Sequence, residues 1–538
     1  MKHSTLLIFS AVLGTVNAKC DRDSVQATLP EGASVNFAYS LPANSTFEVP
    51  KSDTGYPTNA YGLPATCAVS IQVQSIHNST YGFGIFLPDD WNGRFLAVGN
   101  GGFGGGINYV DMGAGVRYGF ATMSTDTGHN SSTFDGLWAY ENPEKVENWG
   151  HLAMHGSTVV AKAVAATYYS QNVSYSYYSG CSTGGRQGLK EAERYPEDFD
   201  GIVAGAPAWW TSHMQPWTAR VWLYNNPASE DYHISAAHFA TINAEVLKQC
   251  DPQDGLVDNI ISDPVGCNFR AETLLCGANA TANDTSCLKD AQLETLYKIY
   301  TDYLAENNTI IFPTFYLGSE GQPALLTGNA PNPLGTDYVK YFLGKGPNWN
   351  YNDYDDEVVT LSDAINPGDA TVRFDLSAYH KRGGKILSYH GMIDPLIPTS
   401  STPFFYNHVL RNLAPKGIDT DSFFKFFLVP GMGHCSGTLP NTNAPWYFAG
   451  PNQQSTLGKI IYSVPGFEDK DHDALMAMMA WVEHGEPPEQ IIGTKYVNDT
   501  LHTDVMRQRP LCMYPKQAKY KGDGDVDAAS SWKCKGLY

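Results

Sequence analysis

The sequence predicts an α/β fold carrying one large insertion, and three observations predict it. Short apolar runs ending in glycine-rich or polar turns recur along the chain, and helical stretches follow several of them. One of these runs passes through a G-x-S-x-G turn directly into a helical pattern. Between Pro207 and about Arg373 the rhythm breaks down into a stretch rich in Asn, Asp, Gly and Pro, and it resumes afterwards.

The elements follow in order. The opening MKHSTLLIFSAVLGTVNA has a basic start, a short apolar run and small residues near Ala18, the pattern of a secretory signal over 1–18. That run falls well short of the roughly 20 apolar residues a spanning helix needs, and no later segment reaches that length. Apolar runs at 93–98, 118–123, 175–178, 202–204, 385–389 and 423–429 are expected strands. A first hydrolase-type segment is expected over 19–207, the insertion over 208–374 with its own small core, and a second hydrolase-type segment over 375–538.

The chain has 538 residues, 42% of them hydrophobic and 17% charged, enough to bury a large core. Its formal net charge of −20 offers phosphate backbones and anionic lipid nothing to hold, which argues against nucleic acid and membrane as partners. The 10 cysteines, an even number, read as disulfides in an exported protein, with the pairing left open by spacing alone. Sequons at Asn44, Asn78, Asn130, Asn172, Asn279, Asn283, Asn307 and Asn498 complete the expectation of a secreted, extracellular glycoprotein.

The strongest chemical signal is the run from Tyr177 to Gly188. An aromatic strand enters G-x-S-x-G at Gly180 to Gly184 and leaves into the helical LKEAERY, as a nucleophile elbow in an α/β-hydrolase fold requires. A serine hydroxyl is a weak nucleophile, so Ser182 needs a base and a carboxylate that orients it. In this fold the acid and then the histidine follow on turns after later strands. Asp394 lies in the proline-pinned turn after KILSYHG, and His434 in the glycine-bracketed turn after FFKFFLV. His390 at a strand end and His129 after Asp126 are the other histidines considered. The oxyanion hole is expected from the N–H of Thr183 and one from Gly101 or Gly102, in the turn after RFLAVGN.

Two rival classes stand beside a hydrolase. Gly99 to Gly104 matches G-x-G-x-x-G after a strand, as an NAD-dependent oxidoreductase would, but GGINYVDMGAG after it forms no convincing helix. A non-catalytic binding module would have no need of an intact acid, base and nucleophile. Within the insertion, Asp251, Asp254, Asp258 and Asp263 crowd around Gly255, and hard oxygen ligands at that density suit Ca2+. The spacing is not that of an EF-hand, since the terminal bidentate Glu is missing.

Cys181 immediately precedes Ser182, and Cys435 immediately follows His434, so a disulfide between them would fix nucleophile against base. With this pattern the chain resembles the fungal tannase and feruloyl esterase family, closest to its type B feruloyl esterases. The motifs that carry the resemblance are GNGG at 99–102, GCSTGGRQG at 180–188, FDGIVAGAPA at 199–208, SYHGMIDP at 388–395 and PGMGHC at 430–435. It implies Ser182 as nucleophile, His434 as base then acid, and Asp394 as the partner of His434. It also implies a structural Ca2+ on the side chains of Asp251, Asp254 and Asp258 and the carbonyls of Leu256 and Ile260. The disulfides it implies are Cys20 to Cys67, Cys181 to Cys435, Cys250 to Cys267, Cys276 to Cys287 and Cys512 to Cys534. By the same resemblance the insertion is a lid that forms the acid-binding pocket, with Trp209, Trp210, Trp217 and Trp222 nearby as candidate walls, although such a cluster is more often plain core. The implied substrates are ferulic, p-coumaric or related hydroxycinnamic esters of plant-wall polysaccharides such as arabinoxylan or pectin. A tannase cleaving galloyl esters is the alternative within the family. The feruloyl reading rests on closer similarity around the motifs and on an insertion without a dibasic processing site.

Overall fold

The computed structural model describes residues 19–278, 281, 284–453 and 460–536. The expected signal segment and the sequons at Asn279 and Asn283 lie outside them. The other sequon asparagines are all exposed.

A nine-stranded sheet organises the chain. Its strands are β1 (Ala33–Leu41), β2 (Thr66–Gln74), β3 (Thr80–Pro88), β4 (Arg94–Val98), β5 (Ala121–Thr125), β6 (Tyr175–Cys181), β7 (Gly201–Gly205), β8 (Lys385–Gly391) and β9 (Phe424–Val429), in the spatial order β1-β2-β3-β5-β4-β6-β7-β8-β9. The pairs from β1 to β3 and from β3 to β5 are antiparallel, and every pair from β5 to β9 is parallel. A parallel strand covered on both faces reads as a continuous apolar run, and Phe95, Leu96, Ala97 and Val98 of β4 are all fully buried.

Helices cover both faces. On one side α2 (Ala153–Tyr169), α3 (Thr183–Arg194) and α7 (Ser401–Leu413) contribute Ala161, Leu189, Phe405 and Val409 to one core. On the other, α1 (Tyr109–Arg117) and α8 (Ala474–His484) contribute Met112, Val116, Leu475 and Met478 to a second. The strand expected at 118–123 runs instead from Ala121 to Thr125. Tyr118 caps α1, and Gly119 at φ +83° makes the turn between helix and strand.

The segment between β7 and β8 carries α4 (Thr211–Asn225), α5 (Ala236–Cys250) and α6 (Asp290–Tyr300) around Trp217, Phe239, Ile242, Val246, Leu296 and Phe312. It is also knitted to the first part of the chain, because Tyr338 and Phe342 pack with Phe103, Trp138 and Trp149. After β9 a hairpin of β10 (Gln490–Tyr496) and β11 (Val505–Cys512) turns back toward the acidic loop. Among the described residues no helix is long and apolar enough to cross a membrane.

Candidate active site

The parallel strands β6, β8 and β9 all point the same way, so the turns at their C-terminal ends meet at one edge of the sheet. Ser182 stands on the first of these turns at φ +65°, ψ −125°, a conformation L-residues rarely adopt. Neighbouring hydrogen bonds over-determine it: Ser182 N donates to the Gly205 carbonyl at 3.0 Å, and the Ser182 carbonyl accepts from Arg186 N and Ala208 N, both at 3.1 Å. The helix can start this close to β7 only because residue 185 is glycine, since a Cβ there would lie 2.3 Å from the Gly205 carbonyl oxygen.

The polar residues of the GGRQG run explain themselves once α3 is in place. Arg186 is fully buried, donates to the Gly150 and Trp149 carbonyls at 2.7 and 3.1 Å, and lies over the Trp149 ring. Gln187 exchanges two hydrogen bonds with Asn100, at 3.0 and 3.1 Å. The nucleophile helix is thereby tied to the glycine turn that precedes Phe103.

Asp394 and His434 arrive from β8 and β9. One Asp394 oxygen accepts from Leu396 N and Ile397 N at 2.8 and 3.0 Å, and the other lies 2.7 Å from His434 Nδ1 and 3.1 Å from His390 Nε2. Burial pushes this carboxyl up, but the charge of His434 and the hydrogen bonds of His390 and His434 outweigh it and hold Asp394 well below the usual carboxylate range. The disulfide Cys181–Cys435 joins the two turns with its Cα atoms 6.0 Å apart. Ser182 and His434 line one cavity of about 330 Å³ together with Gly101, Gly102, Tyr56 and Asp111.

The other two histidines take different places. His390 is fully buried, with Nδ1 2.7 Å from Thr402 Oγ1 and Nε2 also 3.0 Å from the Ile397 carbonyl, so it buttresses Asp394 from behind. His129 stacks on Trp138, and burial, helped by the charge of Lys145, pushes it down to about 3. Of the two readings of the tryptophan cluster, Trp209 and Trp217 follow the plain-core one. Trp209 packs among Phe374, Phe404 and Phe405, and Trp217 against Phe312 and Phe315, while Phe134, Leu334 and Leu396 supply the apolar lining of the cavity.

Two cavity residues gave no signal in the sequence, where Tyr56 and Asp111 sit far from Ser182 in an unremarkable loop and a short helix. Asp111 lies in the first turn of α1, exchanging hydrogen bonds with the capping Asn108, and burial pushes its carboxyl up to about 7.

The acidic loop lies apart from this cavity. Asp251 Oδ2 accepts from Asn259 N at 2.8 Å, Asp254 accepts from Leu256 N and Ser262 Oγ at 3.0 and 2.7 Å, and Asp258 pairs with Arg509. Asp251 Oδ1 is buried with no hydrogen-bond donor, and burial, together with the charges of Asp258 and Asp254, pushes this carboxyl up despite the loop N–H groups. Ile260 N donates to Asp258 at 3.2 Å. Asp263 turns instead to the Gly266 N–H at 2.9 Å. The remaining disulfides are Cys20–Cys67, Cys250–Cys267, Cys276–Cys287 and Cys512–Cys534.

A second group able to hold a metal ion was not foreseen from the sequence. His155 in the first turn of α2, Glu191 in the last turn of α3 and Asp198 after it place their ligand atoms within 4.8 Å of one another, outside the Ser182 cavity. His155 Nδ1 is 2.6 Å from Asp198, and burial next to the Asp198 charge pushes Glu191 well above the carboxylate range.

Comparison with known proteins bears on this arrangement. The family described as tannase and feruloyl esterase matches residues 66–324 and 344–535. The chain belongs to that family. It is 33% identical over 521 residues to a probable feruloyl esterase B-2 of Aspergillus terreus, covering 96% of this chain and 95% of that one. It is 34% identical over 509 residues to a probable feruloyl esterase B-1 of Neosartorya fischeri, covering 94% and 91%. Feruloyl esterase B from Aspergillus oryzae superposes with a TM-score of 0.85 at 32% identity, over 95% of this chain and all of that one. Tannin acyl hydrolase from Aspergillus niger, at 20% identity and a TM-score of 0.73 over 96% and 95%, shares the fold. The family member described here is therefore a serine hydrolase of the feruloyl esterase and tannase type on an α/β-hydrolase fold.

Proposed function

We propose that the protein is a secreted feruloyl esterase, releasing hydroxycinnamic acids from ester links to plant-wall polysaccharides, with Ser182, His434 and Asp394 as its catalytic triad. The single observation that carries the triad is the 2.7 Å contact of His434 Nδ1 with an Asp394 carboxylate, in a turn disulfide-bonded to the nucleophile turn. The choice of hydroxycinnamate esters is supported by the relatives named feruloyl esterase at 32–34% identity.

The chemistry follows from where the protons sit. Asp394, held ionised, accepts the Nδ1 proton of His434 and leaves Nε2 free to take the proton of Ser182 Oγ. The Oγ attacks the ester carbonyl and the carbon–oxygen bond to the alcohol breaks. The alcohol departs with the proton held on Nε2. Water deprotonated by the same nitrogen then cleaves the acyl-serine and releases the acid. The negative oxygen formed in both steps would be met by the N–H of Thr183 and one donor at the Gly101–Gly102 turn.

The segment at 208–374 is read as a lid over this cavity, to which it contributes Leu334. Within it Asp251, Asp254 and Asp258, with the carbonyls of Leu256 and Ile260, would hold Ca2+. The donorless Asp251 Oδ1 fits a cation. The ion would neutralise three neighbouring carboxylates and clamp the loop, far from the reacting atoms.

The test is hydrolysis of methyl ferulate, caffeate, p-coumarate and gallate, side by side, by wild type and Ser182→Ala. Serine-dependent turnover of the cinnamates with little on gallate supports the reading. Turnover of gallate alone makes the protein a tannase.

A further inference from the structure

We propose that the hydroxyl of Tyr56 is a direct donor in the oxyanion hole, taking the place that the Gly101 N–H would otherwise fill. The inference rests on Ser182 being the nucleophile and deepens that reading.

The hydrogen bonds of the glycine turn carry it. Gly101 N donates to Tyr56 Oη at 2.6 Å, so this N–H is already committed. Neither Gly102 N nor Thr183 N donates to any acceptor among the described residues, which leaves both free for an oxyanion. Because Tyr56 Oη accepts from Gly101, its own proton remains to be donated, and it has no acceptor among the described residues. Tyr56 lines the cavity that holds Ser182 and His434, and its hydroxyl meets the Gly101 N–H of the same lining. A donor that itself accepts a hydrogen bond is polarised by it, so the Gly101 N–H acts on the oxyanion through the phenol.

The position of Tyr56 is built rather than incidental. Tyr56 N donates to Asp53 Oδ1 at 3.1 Å, and the other Asp53 oxygen accepts from Ile107 N at 2.8 Å. One buried carboxylate thus fastens the tyrosine turn to the glycine-rich loop it serves. Burial, with the negative charge of Asp111 nearby, pushes the phenol far above its ordinary value, so it keeps its proton wherever the enzyme works.

The experiment compares wild type, Tyr56→Phe and Ser182→Ala on p-nitrophenyl acetate, with a 13C-labelled trifluoromethyl ketone as a trap for the hemiketal oxyanion. Loss of one oxyanion donor costs about 10²-fold or more in kcat. Tyr56→Phe should lose kcat on the order of 10- to 100-fold with KM within about twofold, the lower bound reflecting the Gly101 N–H released by the substitution. The hemiketal, followed by its 13C shift, should ionise at a higher pH in the variant. An unchanged kcat overturns the proposal, as does a raised kcat, which would make Tyr56 a plug. A lowered kcat with unchanged hemiketal ionisation overturns it too, reducing Tyr56 to a positioning residue for Gly101. Should Ser182→Ala keep its turnover, the nucleophile assignment fails instead, independently of Tyr56.

Discussion

The nucleophile turn at Ser182 and the acidic loop at 250–267 are each closed by a disulfide, yet they are held in shape by opposite means. At Ser182 the backbone is held in a rare conformation by its hydrogen bonds, with the first turns of α3 buried and its Arg186 and Gln187 bonded to the Gly150 and Trp149 carbonyls and to Asn100. At the acidic loop the backbone is open: a Cβ on Gly255 would touch nothing within 4 Å, and Val257 is 79% exposed. Its shape depends on Arg509 offsetting Asp258 and, on the proposed reading, on a cation at Asp251 Oδ1. Steric over-determination tolerates changes in solvent and fails abruptly on substitution. Electrostatic offset tolerates some substitutions and fails with a change of ion.

The largest expected effect falls on the first region. Ser182→Ala should reduce kcat on the methyl cinnamates by about 10⁴-fold or more while leaving circular dichroism unchanged. Replacing Cys181 and Cys435 together by Ala should come next. Activity should fall about 10-fold or more as histidine and nucleophile lose their mutual restraint. The same replacement at Cys512 and Cys534 should cost stability on the order of 2–5 kcal/mol and spare kcat. Equal loss of kcat from both pairs would mean that the Cys181–Cys435 bridge does nothing specific for the Ser182 turn.

Chelation addresses the second region. EGTA should lower the melting temperature by several degrees and leave kcat at 25 °C within about twofold, with Ca2+ restoring it by linkage. Asp251→Asn should reproduce the chelated behaviour and no longer respond to Ca2+. Loss of activity without loss of melting temperature would mean that the ion acts at the cavity.

The smallest effect is a pH dependence carried by Asp111. Its folded value of about 7 lies above the unfolded carboxylate value, so the folded state binds the extra proton. The stability it contributes is complete below about pH 4 and is lost as the pH rises through about 7. Asp111→Asn should therefore flatten the decline of melting temperature between pH 5 and 8 by about one or two degrees. Asp394 has the opposite sign: its depressed value contributes stability above about pH 4 that is lost only in strong acid.

The parts of the site legible in the sequence were those whose signal is local. A strand, a G-x-S-x-G turn and a helix occupy neighbouring positions, and Asp394 and His434 each end a strand, so chain order alone pairs them with Ser182. The antiparallel strands β1 to β3 alternate weakly and were not foreseen. Tyr56 was invisible because its role comes from an Asp53 bridge to Ile107, a contact 54 residues away. The tryptophans stayed ambiguous for a related reason: an aromatic cluster near Ser182 looks alike from sequence whether its faces meet a cavity or, as at Trp209, three phenylalanines. His155, Glu191 and Asp198 were missed because their sequence separations match no metal-binding motif.

The proposed triad is divided by the long segment between β7 and β8, with Ser182 before it and Asp394 and His434 after it. A growing chain therefore displays its nucleophile some 250 residues before the base that can activate it, as the 254-residue span of Cys181–Cys435 measures. Any product that ends early, by stalled synthesis or by cleavage within the intervening helices followed by separation of the pieces, holds a serine with no means to react. On the proposed reading, hydrolytic competence is a late property of the polypeptide, acquired once His434 has been made and folded against Ser182 and raised further when the Cys181–Cys435 bridge is oxidised.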